Sequence, residues 1–404
     1  MDDAIISSAD TAECRGVGAR DATMSNPPES LSRTHLPALD GIRGCATLAV
    51  MLLHFSTALR PEPDSAAAAI KSVFQWGWTG VDLFFVLSGF LITGILYDAK
   101  GKERFFRTFY FRRALRIFPL YYGTLAIYFL CAWRLGGPAY HVALHDQAFY
   151  WAYLGNFRRL PLIGHFWSLG IEEQFYLVWP LVVFVSTRTQ LLKVCALAVV
   201  GALVFRSGLL LLGASGSTVY HYTFGRIDGL ALGATVALVL RSPCGREHLR
   251  RWSRWVGGAA AILLATLIVR ENWLDEKAKY FELMSMGYTL IALLFAAGLA
   301  AIVIAVPSSM PVRALSSAPL VTFGKFSYAL YVFHPFVLRA VEQTPLGYLA
   351  STAQERAPFW ILCFPTLMIL VSLAVASLSW HLFEKHFLKL KRHFHYSSRP
   401  VGDG

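Results

Sequence analysis

Apolar residues run along this chain in long, nearly uninterrupted segments, not in the short amphipathic stretches of a soluble protein. A helix needs about 20 mostly apolar residues to cross the hydrocarbon of a bilayer, and backbone groups cannot stay unpaired there. About ten segments qualify, at 39–59, 74–97, 113–134, 165–187, 190–213, 224–241, 253–270, 283–306, 321–341 and 359–383. The pattern therefore predicts an all-α, polytopic bundle of about ten transmembrane helices.

Composition and charge support this prediction and add an orientation. The 404 residues are 55% hydrophobic and only 15% charged, which is too apolar for a soluble domain. The net charge is +12, and one set of connections between the spans holds about twice as many Lys and Arg as the other. Positive residues collect in cytoplasmic loops. Both termini are therefore predicted to be cytoplasmic.

Three regions follow from the same pattern. Residues 1–35 are polar and predict a disordered cytoplasmic tail, in which Met24 as well as Met1 is a candidate start of translation. Residues 36–387 form one predicted membrane domain. Residues 388–404 form a basic cytoplasmic tail, which is predicted to lie against anionic lipid and to bind no nucleic acid.

The first span, "LDGIRGCATLAVMLLHF", carries Arg43 near its start and His54 near its end. At 100° per residue the two side chains lie within about 20° of one helix face, roughly 16 Å apart along the axis. Arg43 is predicted at the cytoplasmic mouth and His54 past mid-depth, where an ionisable group without a function is costly. The alternative is that Arg43 reaches the lipid headgroups and His54 only bonds a neighbouring helix.

Polar residues in the other spans favour the functional interpretation. A passive bundle has little reason to keep so many of them, so they predict a polar central cavity. These residues are Asp82, Ser88, Glu172, Glu173, Arg226, Asp228 and His334.

The segment "FRRALRIFP" at the start of the third span adds a second indication. Arg113 and Arg116 are three residues apart, which places both guanidinium groups on one helix face. Such a pair can bind a phosphate through forked hydrogen bonds. The alternative is an ordinary positive anchor at the cytoplasmic surface. The scattered cysteines and the isolated histidine pairs predict no metal site.

Several motifs in this order resemble the acyltransferase-3 family of membrane acyltransferases, from about Leu36 to Phe387. They are "LDGIRG" with its histidine, "GVDLFFVLSGFLI", "RRALRIFP", "FWSLGIEEQFYLVWP", "GRIDGLALGA" and "SYALYVFHP". The closing segment "LFEKHF" departs from the family pattern, which more often has Pro where this chain has His386.

The resemblance implies a bundle of ten core helices in the cell membrane of a bacterium, its inner membrane. It also implies a cytoplasmic acyl-CoA donor, usually acetyl-CoA, and the O-acylation of cell-surface glycans or secondary metabolites. Carried onto this chain, it implies functional roles for Arg43 with His54 and for Arg113 with Arg116. The glutamate of the family pattern matches Glu172, not necessarily Glu173.

These arguments together define a predicted site in residues 36–387. The predicted catalytic residues are His54, Glu172 and Asp228. The predicted acyl-CoA-binding residues are Arg43, Ser88, Arg113 and Arg116. The predicted acceptor-binding residues are Asp82, Trp167, Arg226, Tyr331 and His334. The predicted partners are acyl-CoA, membrane lipid and a carbohydrate or other hydroxylated acceptor, while self-association stays open.

The sequence leaves several alternatives open. His54 can act as a general base for the acceptor hydroxyl, or as a nucleophile that carries the acyl group. Glu172 or Asp228 can orient the imidazole, or either carboxylate can pair with Arg226. His334 can be a second base, bind the acceptor or serve in packing.

The acceptor is predicted to be a surface polysaccharide or its lipid-linked precursor, with a macrolide or another small metabolite as alternative. A proton-coupled transporter or flippase is the rival function.

Overall fold

The computed structural model describes residues 36–271, 281–352 and 359–396. Helices make up 84% of the structure, and the described residues contain no strand. The all-α prediction is therefore confirmed. The predicted tail at 1–35 lies outside the described residues, as does the chain from 397 onward.

Ten helices follow the ten predicted segments. They are α1 Pro37–Ser56, α2 Gly80–Ala99, α3 Phe105–Leu135, α4 Trp167–Val185, α5 Arg188–Leu211, α6 Ile227–Leu240, α7 Gly245–Glu271, α8 Tyr288–Ile304, α9 Ala318–Glu342 and α10 Trp360–Ser379. Shorter helices, among them Ala66–Gln75 and Pro138–Trp151, lie in the connections.

Local sequence explains several helix ends. Pro37 opens α1, where its missing N–H costs nothing because the first amides of a helix have no intrahelical partner. Thr187 and Gln190 form a capping box at the start of α5. Gly136 ends α3 with a φ of 64°, a conformation that glycine adopts readily.

Eight helical segments of the described chain are long and apolar enough to cross a membrane. The other two predicted spans differ. Helix α6 has only 14 residues, and α9 carries polar residues such as Lys325 and His334 that lower its hydropathy. The protein is thus a multi-pass membrane protein. Eight of the ten predicted spans are therefore candidate membrane-crossing helices, and the number of spans stays a prediction.

Glycine lets two pairs of parallel helices approach closely. A Cβ at Gly324 of α9 would lie 1.9 Å from the carbonyl oxygen of Asp40 in α1. A Cβ at Gly233 of α6 would lie 1.9 Å from the carbonyl oxygen of Val86 in α2. Small residues permit this backbone contact, which is a main source of helix association in lipid. The contact at Gly324 places α1 directly beside α9, and these two helices carry His54 and His334.

The start of α1 and the end of α10 lie at the same end of the bundle, which we call the terminal face. Asp40 of α1 touches Gly324, and nearby on α9 the ring of Phe326 lies 5.9 Å from that of Trp380. The shared position agrees with an even number of crossings. Which side of the membrane this face occupies stays a prediction.

The connection between α3 and α4 returns into the bundle after Pro138–Trp151. Tyr153 is buried, and its ring stacks on Tyr121 of α3 at 4.1 Å. The Gln174 amide of α4 donates to the Tyr153 carbonyl at 2.9 Å. This path brings His165, just before α4, into the interior.

Candidate active site

A cavity with a water-accessible volume of about 90 Å³ lies between α1, α2, α3, α4 and α9. Half of the predicted site residues line it, although they come from five different helices. These are Arg43, Ser88, Arg113, Arg116, Glu172 and Tyr331. The structure therefore brings the predicted donor-binding arginines together with one predicted catalytic carboxylate.

The arginines of the cavity differ in their partners. Arg43 pairs with Asp40, one turn earlier in α1, at 2.9 Å. The Arg113 guanidinium lies 4.9 Å from the ring centre of Tyr176. Neither Arg113 nor Arg116 forms an ion pair within the described chain. Their donors are therefore available to an anionic ligand in the cavity.

Glu172 belongs to a hydrogen-bonded chain in the cavity wall. The Ser88 hydroxyl donates to its Oε1 at 2.5 Å, and the Tyr176 hydroxyl donates to Ser88 at 3.0 Å. Glu173, the neighbouring carboxylate, lines the same cavity. Glu172 is thus held by Ser88 of α2, which is itself bonded to Tyr176 of α4. Among the described residues, the hydrogen bonds of Glu172 do not include one to His54.

The partner of His54 is His334. The Nδ1 atom of His54 lies 3.1 Å from Nε2 of His334, and the ring centres are 4.9 Å apart. His54 is half-buried, while His334 is completely buried. The sequence offered Glu172 or Asp228 to orient His54, but the structure places a second imidazole there.

Pro335 explains how His334 is held. A proline has no N–H, so within α9 it leaves the carbonyl of Tyr331, four residues earlier, without its helical hydrogen bond. The Nδ1 atom of His334 lies 2.9 Å from that carbonyl oxygen and 3.1 Å from the carbonyl oxygen of Leu330. The "HP" pair in the sequence thus provides a fixed acceptor for one ring nitrogen.

Tyr331 joins the cavity to the histidines. It lines the cavity, and its ring centre lies 5.8 Å from that of His334. Its hydroxyl donates to the His165 carbonyl at 2.7 Å and lies 2.6 Å from the Ser168 hydroxyl. The His165 ring is 5.4 Å from the His334 ring. Sequence reasoning missed His165, although it stands directly before the quoted "FWSL" segment.

The remaining predicted residues lie in the packed interior, outside the cavity lining. Asp82 pairs with Arg226 at 2.7 Å, and both are almost fully buried. Trp167 packs its ring 4.8 Å from that of Tyr220. Arg226 also lies 4.8 Å from the Tyr220 ring centre. In this structure these groups hold helices together, and their predicted contact with the acceptor stays untested.

Asp228 is held by a buried arginine that the sequence analysis did not single out. Arg206 of α5 approaches its carboxylate at 3.0 Å, and the Thr289 hydroxyl donates to it at 2.7 Å. Arg206 also bonds Thr289 and the Gly225 carbonyl. The signal available in the sequence was an arginine inside the apolar segment 190–213.

A metal was not predicted for this site. Within the described ranges, no group of three or more His, Cys, Asp or Glu side chains is arranged to hold a metal ion. The three clustered histidines contact one another, protein carbonyls and aromatic rings.

Comparison with known proteins agrees with the order of the motifs. Residues 36–382 match the family model described as an acyltransferase domain, Acyl_transf_3. The chain belongs to this acyltransferase family. The predicted family is therefore confirmed, and the cavity and the histidine pair both lie within the matched range.

The chain is similar to several proteins that are named as O-acetyltransferases. The chain is 30% identical over 381 residues to the putative peptidoglycan O-acetyltransferase YrhL of Bacillus subtilis (strain 168), covering 87% of this chain and 54% of the relative. It is 28% identical over 410 residues to the peptidoglycan O-acetyltransferase OatA of Listeria monocytogenes serovar 1/2a (strain ATCC BAA-679 / EGD-e), covering 92% and 60%. The chain spans just over half the length of these relatives. No solved structure matches significantly.

Proposed function

We propose that this protein is a membrane O-acetyltransferase that moves an acetyl group from cytoplasmic acetyl-CoA to a hydroxyl of a cell-surface glycan. Its place is the inner membrane of a bacterium, with the terminal face in the cytoplasm. The names of the relatives support peptidoglycan or a related carbohydrate as the acceptor. The observation that carries the proposal is the His54–His334 hydrogen bond beside an arginine-lined cavity.

The hydrogen bonds of His334 favour one tautomer of His54. A ring nitrogen that faces two carbonyl oxygens must carry the proton, so Nδ1 of His334 is the donor and its Nε2 is an acceptor. His54 then donates from Nδ1 to that acceptor. Nε2 of His54 keeps its lone pair, which is the state that a general base requires.

The cavity suits the shape of the donor. Coenzyme A carries its phosphates at one end and the thioester at the other, joined by a slender arm. In our proposal, Arg113 and Arg116 bind the phosphates. The arm extends along the cavity to Tyr331, so that the thioester carbonyl lies near His54. Glu172 and Ser88 contribute to the wall along which the arm passes.

Acetyl transfer then proceeds at His54. The acceptor hydroxyl oxygen forms a bond to the thioester carbonyl carbon while its proton moves to Nε2 of His54. The tetrahedral intermediate collapses, the carbon–sulfur bond breaks, and the leaving thiolate takes the proton from His54. The acetyl ester and free coenzyme A are the products. In the alternative, Nε2 of His54 bonds to the thioester carbonyl carbon, and the carbon–sulfur bond breaks to release the coenzyme A thiolate. The acceptor hydroxyl oxygen then attacks the acetyl-histidine, which frees Nε2 again, and the hydroxyl proton goes to the thiolate.

Ester-linked acetate on the surface glycans of producing cells tests the proposal. Cells with the wild-type protein should contain more of it than cells without the protein. His54→Ala should lower the content to that of cells without it. His145→Ala is the matched control, because that side chain is 87% exposed and lies outside the site. Equal ester content with and without the protein would refute glycan O-acetylation, whereas full activity of His54→Ala would remove His54 from the mechanism.

A further inference from the structure

The chain after α10 packs against the start of α3. The Phe394 ring stacks on that of Phe111, with centres 4.7 Å apart and planes at 8°. Arg112 donates from Nη1 to the Phe394 carbonyl at 2.9 Å, and the Thr108 hydroxyl donates to the His395 carbonyl at 3.4 Å. The sequence predicted a basic tail on anionic lipid from residue 388. Its described part, to 396, packs against α3, and its contact with lipid stays a prediction.

This packing brings a lysine to the arginines of α3. Lys391 is half-buried and belongs to the turn Leu390–His393, which contacts α3. Its positive charge lies within electrostatic range of Arg112, Arg113 and Arg116. We call these four residues the basic cluster. None of them forms an ion pair within the described chain.

Four carboxylates lie within electrostatic range of the basic cluster: Asp40, Glu172, Glu173 and Glu384. Glu384 attracts Arg116, but its Oε1 accepts a hydrogen bond from the Ser379 hydroxyl at 3.1 Å. Asp40 pairs with Arg43, and Glu172 accepts from Ser88. None of the four carboxylates forms an ion pair with the cluster within the described ranges. Four unpaired positive charges held close together repel one another, and a bound polyanion would relieve that repulsion.

The basic cluster is continuous with the cavity, because Arg113 and Arg116 belong to both. A phosphorylated ligand on the cluster can therefore extend an uncharged arm into the cavity. We propose that Lys391, presented by the packed C-terminal segment, completes with Arg112, Arg113 and Arg116 a binding site for the phosphate groups of the nucleotide donor. This inference rests on the proposed function and adds to it a residue outside the recognised motifs.

An anionic lipid headgroup offers the same phosphate chemistry, so the experiment separates the two sources. The full-length protein is purified in neutral detergent, and the dissociation constant of free coenzyme A is measured by calorimetry. Lys391→Gln should raise that constant about tenfold, since it removes one charge-assisted contact. Lys391→Arg should stay close to wild type. Lys389→Gln is the matched control, because Lys389 lies on the same segment but is exposed.

Retention of phosphatidylglycerol is measured on the same variants by native mass spectrometry. Weaker coenzyme A binding by Lys391→Gln, with phosphatidylglycerol retention unchanged, supports the inference. Unchanged coenzyme A binding with weaker lipid retention would overturn it in favour of a headgroup. An equal effect of Lys389→Gln would overturn it as well. If the wild type binds coenzyme A and Lys391→Gln binds it equally, only this inference fails, whereas no binding by the wild type contradicts the proposed donor itself.

Discussion

Replacing His334 by leucine tests whether His334 holds His54, the proposed base, in the tautomer that can accept a proton. Leucine fills a similar volume in this fully buried position but offers no acceptor to Nδ1 of His54. Losing the hydrogen bond costs about 1 kcal/mol, and leaving the N–H unpaired costs a further 1–3 kcal/mol. The imidazole avoids that cost by changing tautomer or by rotating. Either change removes the lone pair that faces the acceptor, so the kcat should fall roughly 100-fold.

The assay is transfer of labelled acetyl from acetyl-CoA to a glycan by the purified protein. The KM for acetyl-CoA should change less than about twofold, because His334 does not line the cavity that we propose for the donor. His334→Gln keeps an oxygen acceptor near the position of Nε2 and should recover part of the lost kcat. If His334→Leu keeps full kcat in a folded protein, or if Gln and Leu are equally impaired, the tautomer argument is wrong.

Three further predictions concern the surroundings of the base. Arg113→Ala and Arg116→Ala should each raise the KM for acetyl-CoA about tenfold with little change in kcat, while Arg107→Ala, on an exposed turn of the same helix, should leave both constants unchanged. Asp228→Asn should destabilise the fold by about 3 kcal/mol, because it leaves the buried Arg206 without its counter-charge; the melting temperature in detergent checks this. Glu173→Gln should keep the melting temperature, because that carboxylate has no ion pair in the described chain, and a large drop would contradict this.

The helices were predictable from sequence because a bilayer demands long apolar helical segments. The predicted segments and the described helices agree at all ten places. The shortest of the ten helices is α6, where Thr223–Gly225 forms a tight turn and the helix begins only at Ile227. Most residues of α6 are buried against neighbouring helices, so this short helix is surrounded by protein. A hydropathy pattern contains no information about such surroundings.

The partners of the polar residues were not predictable in the same way. His54 and His334 are 280 positions apart, and Asp82 is 144 positions from Arg226. Local sequence contains no information about which polar residues of different helices will be in contact. Motif spacing predicted that these residues matter, whereas helix packing decides that His334 contacts His54 and that Asp82 neutralises Arg226.

The most direct test of the account is a single-turnover measurement with His54→Gln. The purified variant is mixed with labelled acetyl-CoA and a glycan acceptor, and donor binding and ester formation are followed separately. The variant should bind acetyl-CoA like the wild type and lose ester formation by at least about 100-fold, because only the base is missing. Ester formation at the wild-type rate would contradict the claim that the His54 imidazole performs the transfer.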